Sequence, residues 1–236
     1  TGYTIGTDST GIPNLERRTT SSNRGNSQYA GLYSTLAWTL AGGDSLTMNP
    51  SFNFYRYRSR YNSITDYLLG ETTPYPVSDG NSEGDGWNVG NTVNWIKKLG
   101  EGAKLDVKLI ASIGGRNNDS YGRSLDYDNT RTLERTTLVP NRDSRMSFTG
   151  KYSTPIVEGH SLVAGWDVGL NRQTSSNRVT EWNIAAPAID TLEDYRASVR
   201  KMAFFAQDEW NVTPNWSVYA GFRWEGIETE TSGDGL

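Results

Sequence analysis

The chain has 236 residues, of which 35% are hydrophobic, and no stretch approaches the roughly 18 consecutive apolar residues of a membrane-spanning helix. Its 23 Lys and Arg residues against 27 Asp and Glu residues give a formal net charge of -4, which argues against a nucleic acid partner. The absence of cysteine excludes disulfides, thiolate metal sites and cysteine nucleophiles.

Alternation of apolar and polar residues predicts eight strands joined in four hairpins. In the first hairpin, even positions from Leu32 to Leu40 are mostly apolar, a turn follows at 41–44, and the even positions of 46–54 are apolar again. Two alternating strands separated by a tight turn form a β-hairpin. The other three hairpins are predicted at 87–113, 146–170 and 204–224, with turns near 100, 157 and 213.

The first strand of the fourth hairpin has an ambiguous register. Phe204 and Phe205 are adjacent, so either of them could belong to the apolar side of the strand. The polar residues that follow, Gln207, Asp208 and Glu209, fall on both sides and do not resolve the choice.

Four tight turns, near residues 42, 100, 157 and 213, alternate with long polar segments at 60–86, 115–144 and 172–198. This arrangement is typical of outer-membrane barrels, which have short periplasmic turns and long extracellular loops. The apolar runs cover about 9 to 11 residues, the length that crosses a bilayer at a tilt near 45°. The sequence therefore predicts an all-β fold of antiparallel, up-and-down transmembrane β-barrel strands, whose apolar side contacts membrane lipid.

Charged residues are placed consistently with this prediction. Arg56 follows the apolar residues of 46–54 in the same register, and an arginine facing lipid at the bilayer midplane costs about 2 to 4 kcal/mol. Ten residues beyond Leu46, a strand tilted by about 45° has risen about 24 Å, so Arg56 reaches the far interface, where this cost is small. The opposite register carries charges that we expect to pair across strands or to be hydrated: Lys104, Asp106, Lys108, Lys151, Asp167, Arg223 and Glu225.

Two stretches resemble the barrels of TonB-dependent outer-membrane receptors: AFFAQDEWNVTPNWSVYAGFRWE at 203–225 and VEGHSLVAGWDVGLNRQ at 157–173. The resemblance implies a bacterial outer-membrane location and uptake of a scarce ligand, such as a siderophore or another large nutrient. It also implies a plug domain and the TonB complex as partners. Complete receptor barrels of this kind have about 22 strands, whereas the sequence predicts eight. Since we also find neither a plug nor a TonB box, we expect the chain to be an interior portion of a larger barrel.

Aromatic and arginine residues of the predicted loops are candidates for binding that ligand, because they stack on it and donate hydrogen bonds to it. The candidates are Tyr61, Tyr67, Tyr121, Tyr127, Trp182, Arg116 and Arg123. The sequence indicates no catalytic group, metal site or cofactor, and its single histidine, His160, lies beside a tight turn. We therefore expect a protein that is not an enzyme.

Two alternatives fit the same strand pattern. One is a soluble secreted β-sandwich that binds carbohydrate through loop Trp and Tyr residues. In a sandwich, Leu36, Phe52, Leu109 and Phe222 would pack together in a dry interior. The other is a self-contained eight-stranded outer-membrane protein with a structural or adhesive role and no plug.

Overall fold

A computed structural model describes residues 1–70, 75–213 and 215–234, and almost all of these residues lie in antiparallel β-strands. The prediction of an all-β antiparallel fold is confirmed. No helix within these ranges is long and apolar enough to cross a membrane. The strands are β1 Gly2–Thr7, β2 Pro13–Tyr33, β3 Leu36–Thr39, β4 Ser45–Leu69, β5 Val77–Gly100, β6 Ala103–Leu125, β7 Arg131–Leu138, β8 Asn141–Val157, β9 His160–Asn183, β10 Ala186–Thr213 and β11 Trp216–Gly233.

All eleven strands belong to one sheet in which strands that follow each other in the chain pair side by side. β3 continues β2 against β4 in an unchanged register, with Tyr33 opposite Ser51 and Leu36 opposite Met48. The interruption lies opposite Pro50, which has no backbone N–H to donate to a ladder. β8 continues β7 in the same way across Pro140. The eight predicted strands are therefore present as ribbons, and the short β1 is an additional strand.

The tight turns occur where they are predicted. The first is a single 3-10 turn at Ala41–Gly43, in which Gly42 and Gly43 have φ angles of 77° and 78° that favour glycine. The second and third connect β5 to β6 and β8 to β9. The fourth connects β10 to β11 and includes Pro214, which lies outside the described residues. The assignment of these turns to the periplasm stays a prediction.

The segments predicted as long loops are largely paired strand instead. β4 extends to Leu69, β6 extends to Leu125, and β9 and β10 together occupy most of 172–198. The alternation that marks a half-apolar strand disappears there because both sides of the ladder are polar. Backbone hydrogen bonds do not depend on that alternation, so a strand that is polar on both sides pairs equally well in water.

One side of the sheet, called the apolar side below, carries rows of apolar side chains that cross from strand to strand. One row contains Leu36, Met48, Val93, Leu109, Phe148, Val168 and Met202, each opposite the next in the ladder. The neighbouring row contains Phe204, opposite both Trp166 and Trp224. This pairing resolves the ambiguous register, because Phe204 lies on the apolar side and Phe205 on the other, called the polar side. Together these rows form the apolar band.

The apolar band is not covered by protein. Leu36, Phe52 and Phe222 are 45%, 42% and 69% exposed, and the described residues contain a single sheet with no second layer. The accessible surface is 15807 Å², whereas a compact monomer of 26.2 kDa exposes about 10,600 Å². This arrangement contradicts the β-sandwich alternative, which needs these side chains in a shared dry interior.

The sheet is open over the ranges that the structure describes. β1 pairs only with β2, and β11 pairs only with β10. Two free edges expose unpaired N–H and C=O groups, which neighbouring strands normally satisfy. A closed eight-stranded barrel is therefore not formed by these residues.

Candidate functional site

Three tyrosines of β4 lie flat against three glycines of β5 on the polar side. Tyr55 is opposite Gly86, Tyr57 opposite Gly84 and Tyr61 opposite Gly80. A Cβ atom on Gly86 would lie 2.5 Å from Cζ of Tyr55, and one on Gly84 would lie 2.5 Å from Cε1 of Tyr57. Each ring therefore occupies the space that a side chain on β5 would need, which is the packing known as aromatic rescue of glycine.

A polar hollow of about 340 Å³, called the amide hollow, lies next to Tyr55 on the polar side. The side chains that face it are Asn53, Tyr55, Asn88, Arg116, Asn141, Asp143 and Gln173. Asn53 is fixed by a hydrogen bond that Tyr29 donates to its Oδ1 at 2.6 Å, and Tyr33 donates to the same oxygen. The hollow thus offers amide and guanidinium donors beside one carboxylate.

A second hollow of about 620 Å³, called the charged hollow, lies on the polar side nearer the tight turns. At its margin, Asp167 lies 3.0 Å from Lys201 and 3.7 Å from Arg223, and Glu225 lies 3.6 Å and 3.1 Å from the same two cations. These contacts confirm pairing across adjoining strands for Asp167 and Glu225, which both contact Lys201 of β10. Arg223 instead contacts Glu225 on its own strand and Asp167 two strands away. Lys201 completes the group, and sequence reasoning missed it because the register of β10 was ambiguous.

The other charged residues expected on this side remain unpaired. Among the residues described, none of Lys104, Asp106, Lys108 and Lys151 has an opposite charge within 4.0 Å, although Asp106 is directly opposite Lys151 in the ladder. Ionised groups without a partner need water. The polar side is therefore suited to an aqueous environment that solvates its charges and its many Ser, Thr and Asn side chains.

The structure divides the seven predicted ligand-binding residues between the two sides. On the polar side, Arg116 faces the amide hollow, Tyr61 lies over Gly80 and Gly122, and Tyr67 is opposite Arg17. Only Arg116 of these three lines a hollow on the polar side.

Three of the predicted residues lie on the apolar side, beyond the apolar band. Arg123 donates two hydrogen bonds to Asp79, at 2.6 Å and 2.9 Å, and these bonds raise the pKa of Arg123. Trp182 is covered by the guanidinium of Arg131, 4.1 Å from the ring centroid. Tyr121 lies on the same side of β6 as Arg123. Arg123 and Trp182 are thus already engaged by protein partners.

The seventh residue, Tyr127, lies in the turn between β6 and β7, where its hydroxyl donates to the carbonyl of Thr65 at 2.9 Å. Tyr61, Tyr121 and Arg123 line one groove together, but the other four lie elsewhere, so the seven predicted residues do not form one site. The residues that sequence reasoning missed, Asn53, Asn88, Asn141, Asp143 and Gln173, lie on strands rather than loops. In the sequence, these residues occupy the polar positions of the alternating strands, at the strand ends that are far from the tight turns.

The described residues contain no evident metal site. Over residues 1–70, 75–213 and 215–234, no group of three or more His, Cys, Asp or Glu side chains is placed to hold a metal ion. His160, the single histidine, accepts or donates a hydrogen bond with Asp208 at 2.8 Å and stacks on Trp210. Its contacts are those of a structural residue beside a turn.

No protein-family model matches the chain, and no curated protein is similar to it. Among solved structures, it is similar to the ferric citrate transporter FecA in its unliganded form, with 14% identity and a TM-score of 0.43 over 93% of this chain and 36% of the FecA chain. It is also similar to the outer membrane protease OmpT from Escherichia coli, with 9% identity and a TM-score of 0.27 over 99% of this chain and 91% of that one. The chain thus spans about a third of the length of FecA. With TM-scores below 0.5, neither similarity carries an argument about fold or function.

Proposed function

We propose that the chain forms part of an outer-membrane β-barrel receptor that takes up a scarce ligand, such as a siderophore or another large nutrient, in a TonB-dependent way. The observation that carries the proposal is the single sheet with an exposed apolar band on one side and polar residues on the other. Hydrocarbon covers the band, and the polar side lines an aqueous lumen. The proposed role involves binding and transport, without catalysis.

The height of the apolar band supports a membrane span. Leu105 pairs with Lys97 of β5 and marks one limit of the apolar band, and Trp87 of β5 marks the other. These two limits are ten residues apart along β5. At 3.4 Å per residue and a tilt of about 45°, this separation is about 24 Å, close to the apolar band of about 25 Å in outer-membrane barrels. Arg56 and Arg58 lie beyond the row of Trp87, as lipid exposure requires.

Uptake is the part of the proposal that rests on the polar side and on the resemblance of 157–173 and 203–225 to receptor barrels. Amide groups, Arg116 and the unpaired charges of the charged hollow offer several weak contacts to the oxygen atoms of a polar ligand. Several weak contacts allow a ligand to be held and then passed on. The free edges of β1 and β11 fit a larger barrel, in which further strands, a plug domain and the TonB complex are the proposed partners.

Tryptophan quenching by brominated lipids tests the membrane orientation. The chain has eight tryptophans, so variants that retain only Trp38, Trp166 or Trp224, with phenylalanine at the other positions, report on the apolar band separately. We expect strong quenching of each in bilayers. A variant that retains only Trp182 is the matched control, because this residue lies beyond the band under Arg131 and should be quenched weakly. Equal, weak quenching of all four would remove the basis of the proposal.

Hydrogen exchange at the sheet edges separates an interior portion of a receptor from a self-contained barrel. In the chain alone, amides of β11 that do not bond to β10 should exchange quickly, since they have no partner on the other side. Slow exchange along both β1 and β11 would show that the edges pair with each other. That result would favour a self-contained barrel without a plug.

A further inference from the structure

A groove of about 860 Å³ lies on the apolar side, beyond the apolar band, and its floor holds two arginines that face each other. Arg24 of β2 is directly opposite Arg60 of β4, and both side chains are exposed. Like charges directly opposite in a ladder destabilise it unless something lies between them. Neither arginine has a carboxylate within 4.0 Å among the residues that the structure describes.

The carboxylates that line the groove are already engaged at its margins. Glu83 lies 2.9 Å from Arg58, and Asp79 binds Arg123 through two hydrogen bonds. The groove is lined by four arginines and two carboxylates, so it carries a net positive charge. Asp119, opposite Glu83 in the ladder, forms no ion pair with the floor arginines. The charge at Arg24 and Arg60 is therefore available to an anion from outside the chain.

A phosphate group matches this pair of arginines. Its oxygens accept hydrogen bonds from two guanidinium groups at once, and arginine recognises phosphate through this forked geometry. The remaining lining offers neutral donors, including the amide of Asn81 and the hydroxyl of Tyr121. The groove is much larger than one phosphate, so it has room for the atoms to which a phosphate is attached.

The position of the groove identifies the source of the phosphate. The row that pairs Arg60 with Asn81 lies six residues beyond the row that pairs Phe54 with Trp87, about 14 Å higher at a tilt of about 45°. Arginine side chains are long enough to reach back towards the headgroup layer. We infer that the groove binds the phosphate of an anionic lipid headgroup at the edge of the membrane. This inference rests on the proposed function, because only a lipid-facing band brings headgroups to this position.

Binding of phosphatidic acid to the full chain in neutral detergent micelles tests the inference, with affinity measured by calorimetry. Arg24→Gln and Arg60→Gln should each weaken binding about tenfold, because each removes one charge-assisted contact. Arg18→Gln is the matched control: Arg18 lies on the same strand as Arg24 but is paired with Asp66 at 3.1 Å, so its loss should leave the affinity unchanged. Phosphatidylcholine should bind much more weakly than phosphatidic acid, because its phosphodiester carries less negative charge and lies beside a positively charged choline group.

Two results would overturn the inference. Unchanged affinity for phosphatidic acid in both Arg24→Gln and Arg60→Gln would show that the floor arginines do not bind the headgroup. Inorganic phosphate that binds as tightly as phosphatidic acid would show that the groove takes a soluble phosphate instead of a lipid. The lipid quenching of Trp224 is measured after Arg24→Gln or Arg60→Gln is introduced into the variant that retains only Trp224. Quenching that persists while binding is unaffected contradicts this inference alone, and absent quenching contradicts the proposed function. Persistent quenching also shows that the variants are folded.

Discussion

Replacement of Gly86 by alanine tests whether the tyrosines of β4 are packed on the glycines of β5. The new Cβ would lie 2.5 Å from Cζ of Tyr55, so the ring has to move. Forcing extra atoms into a packed position costs about 1 to 3 kcal/mol. Alanine is better than glycine in a strand interior by about 0.5 to 1 kcal/mol, which offsets part of this cost. We expect a net destabilisation of about 1 to 2 kcal/mol.

Gly169 provides a matched control, because it lies on the same side of the sheet with room for a side chain. A Cβ atom there would be 3.9 Å from the carbonyl of Met146 and 4.0 Å from Cβ of Lys201, which are ordinary contacts. Gly169→Ala should therefore stabilise the chain by about 0.5 to 1 kcal/mol. The two substitutions are chemically identical and should have opposite signs.

Equilibrium unfolding by urea in detergent micelles measures both variants and a double-mutant cycle with Tyr55→Ala. When Tyr55 is absent, Gly86→Ala no longer meets a ring, so the steric cost of about 1 to 3 kcal/mol should disappear and leave the small gain of alanine over glycine. Equal stability of Gly86→Ala and Gly169→Ala, or a cost at Gly86 that does not depend on Tyr55, would refute the packing described above. It would mean that the ring of Tyr55 is free to leave β5.

Two further predictions concern single polar groups. Asn91 lies on the apolar side between Pro50 and Ala111, and its buried Oδ1 has no hydrogen-bond partner among the described residues. Asn91→Leu should therefore raise the free energy of unfolding in urea by about 1 to 3 kcal/mol, and a loss of stability would reveal a partner for the amide. Beyond the apolar band, hydrogen bonds donated by Arg178 lower the pKa of Asp190. The contribution of these bonds to the stability of the folded sheet is complete above the ordinary pKa of 3.8 and is lost as the pH falls through the lowered pKa. Amides near this pair should exchange faster below about pH 4, and Asp190→Asn should abolish this pH dependence; an identical profile in both proteins would contradict it.

Outside β10, the sequence was sufficient to predict which residues of the alternating runs share the apolar side. Leu36, Met48 and Val93 lie at alternating positions of different strands, and the structure places them in one row. Strand parity is a local property, and tight turns fix the register between the two strands of a hairpin, so neighbouring residues carry this information. Pro50 of β4 also lies opposite the interruption between β2 and β3, because it has no N–H to donate to that neighbouring strand.

The extent of the strands and the members of the hollows were not predictable in this way. Residues 172–183 of β9 are mostly polar on both sides, and only their pairing with β7, β8 and β10 shows that they are strand. Lys201 belongs to the charged group through Asp167 on one neighbouring strand and Glu225 on the other. Such sets depend on register between hairpins, which no short sequence window contains.

The tyrosines on glycine connect the local packing to the proposed role of the polar side. The rings fill the space that side chains at Gly80, Gly84 and Gly86 would need. The same arrangement fixes Tyr55 at the margin of the amide hollow, beside Arg116, which is opposite Gly86 on the next strand. A side chain larger than glycine at position 86 would push Tyr55 into that hollow. Under the proposed function, strand stability and the capacity to admit a ligand therefore depend on the same glycine.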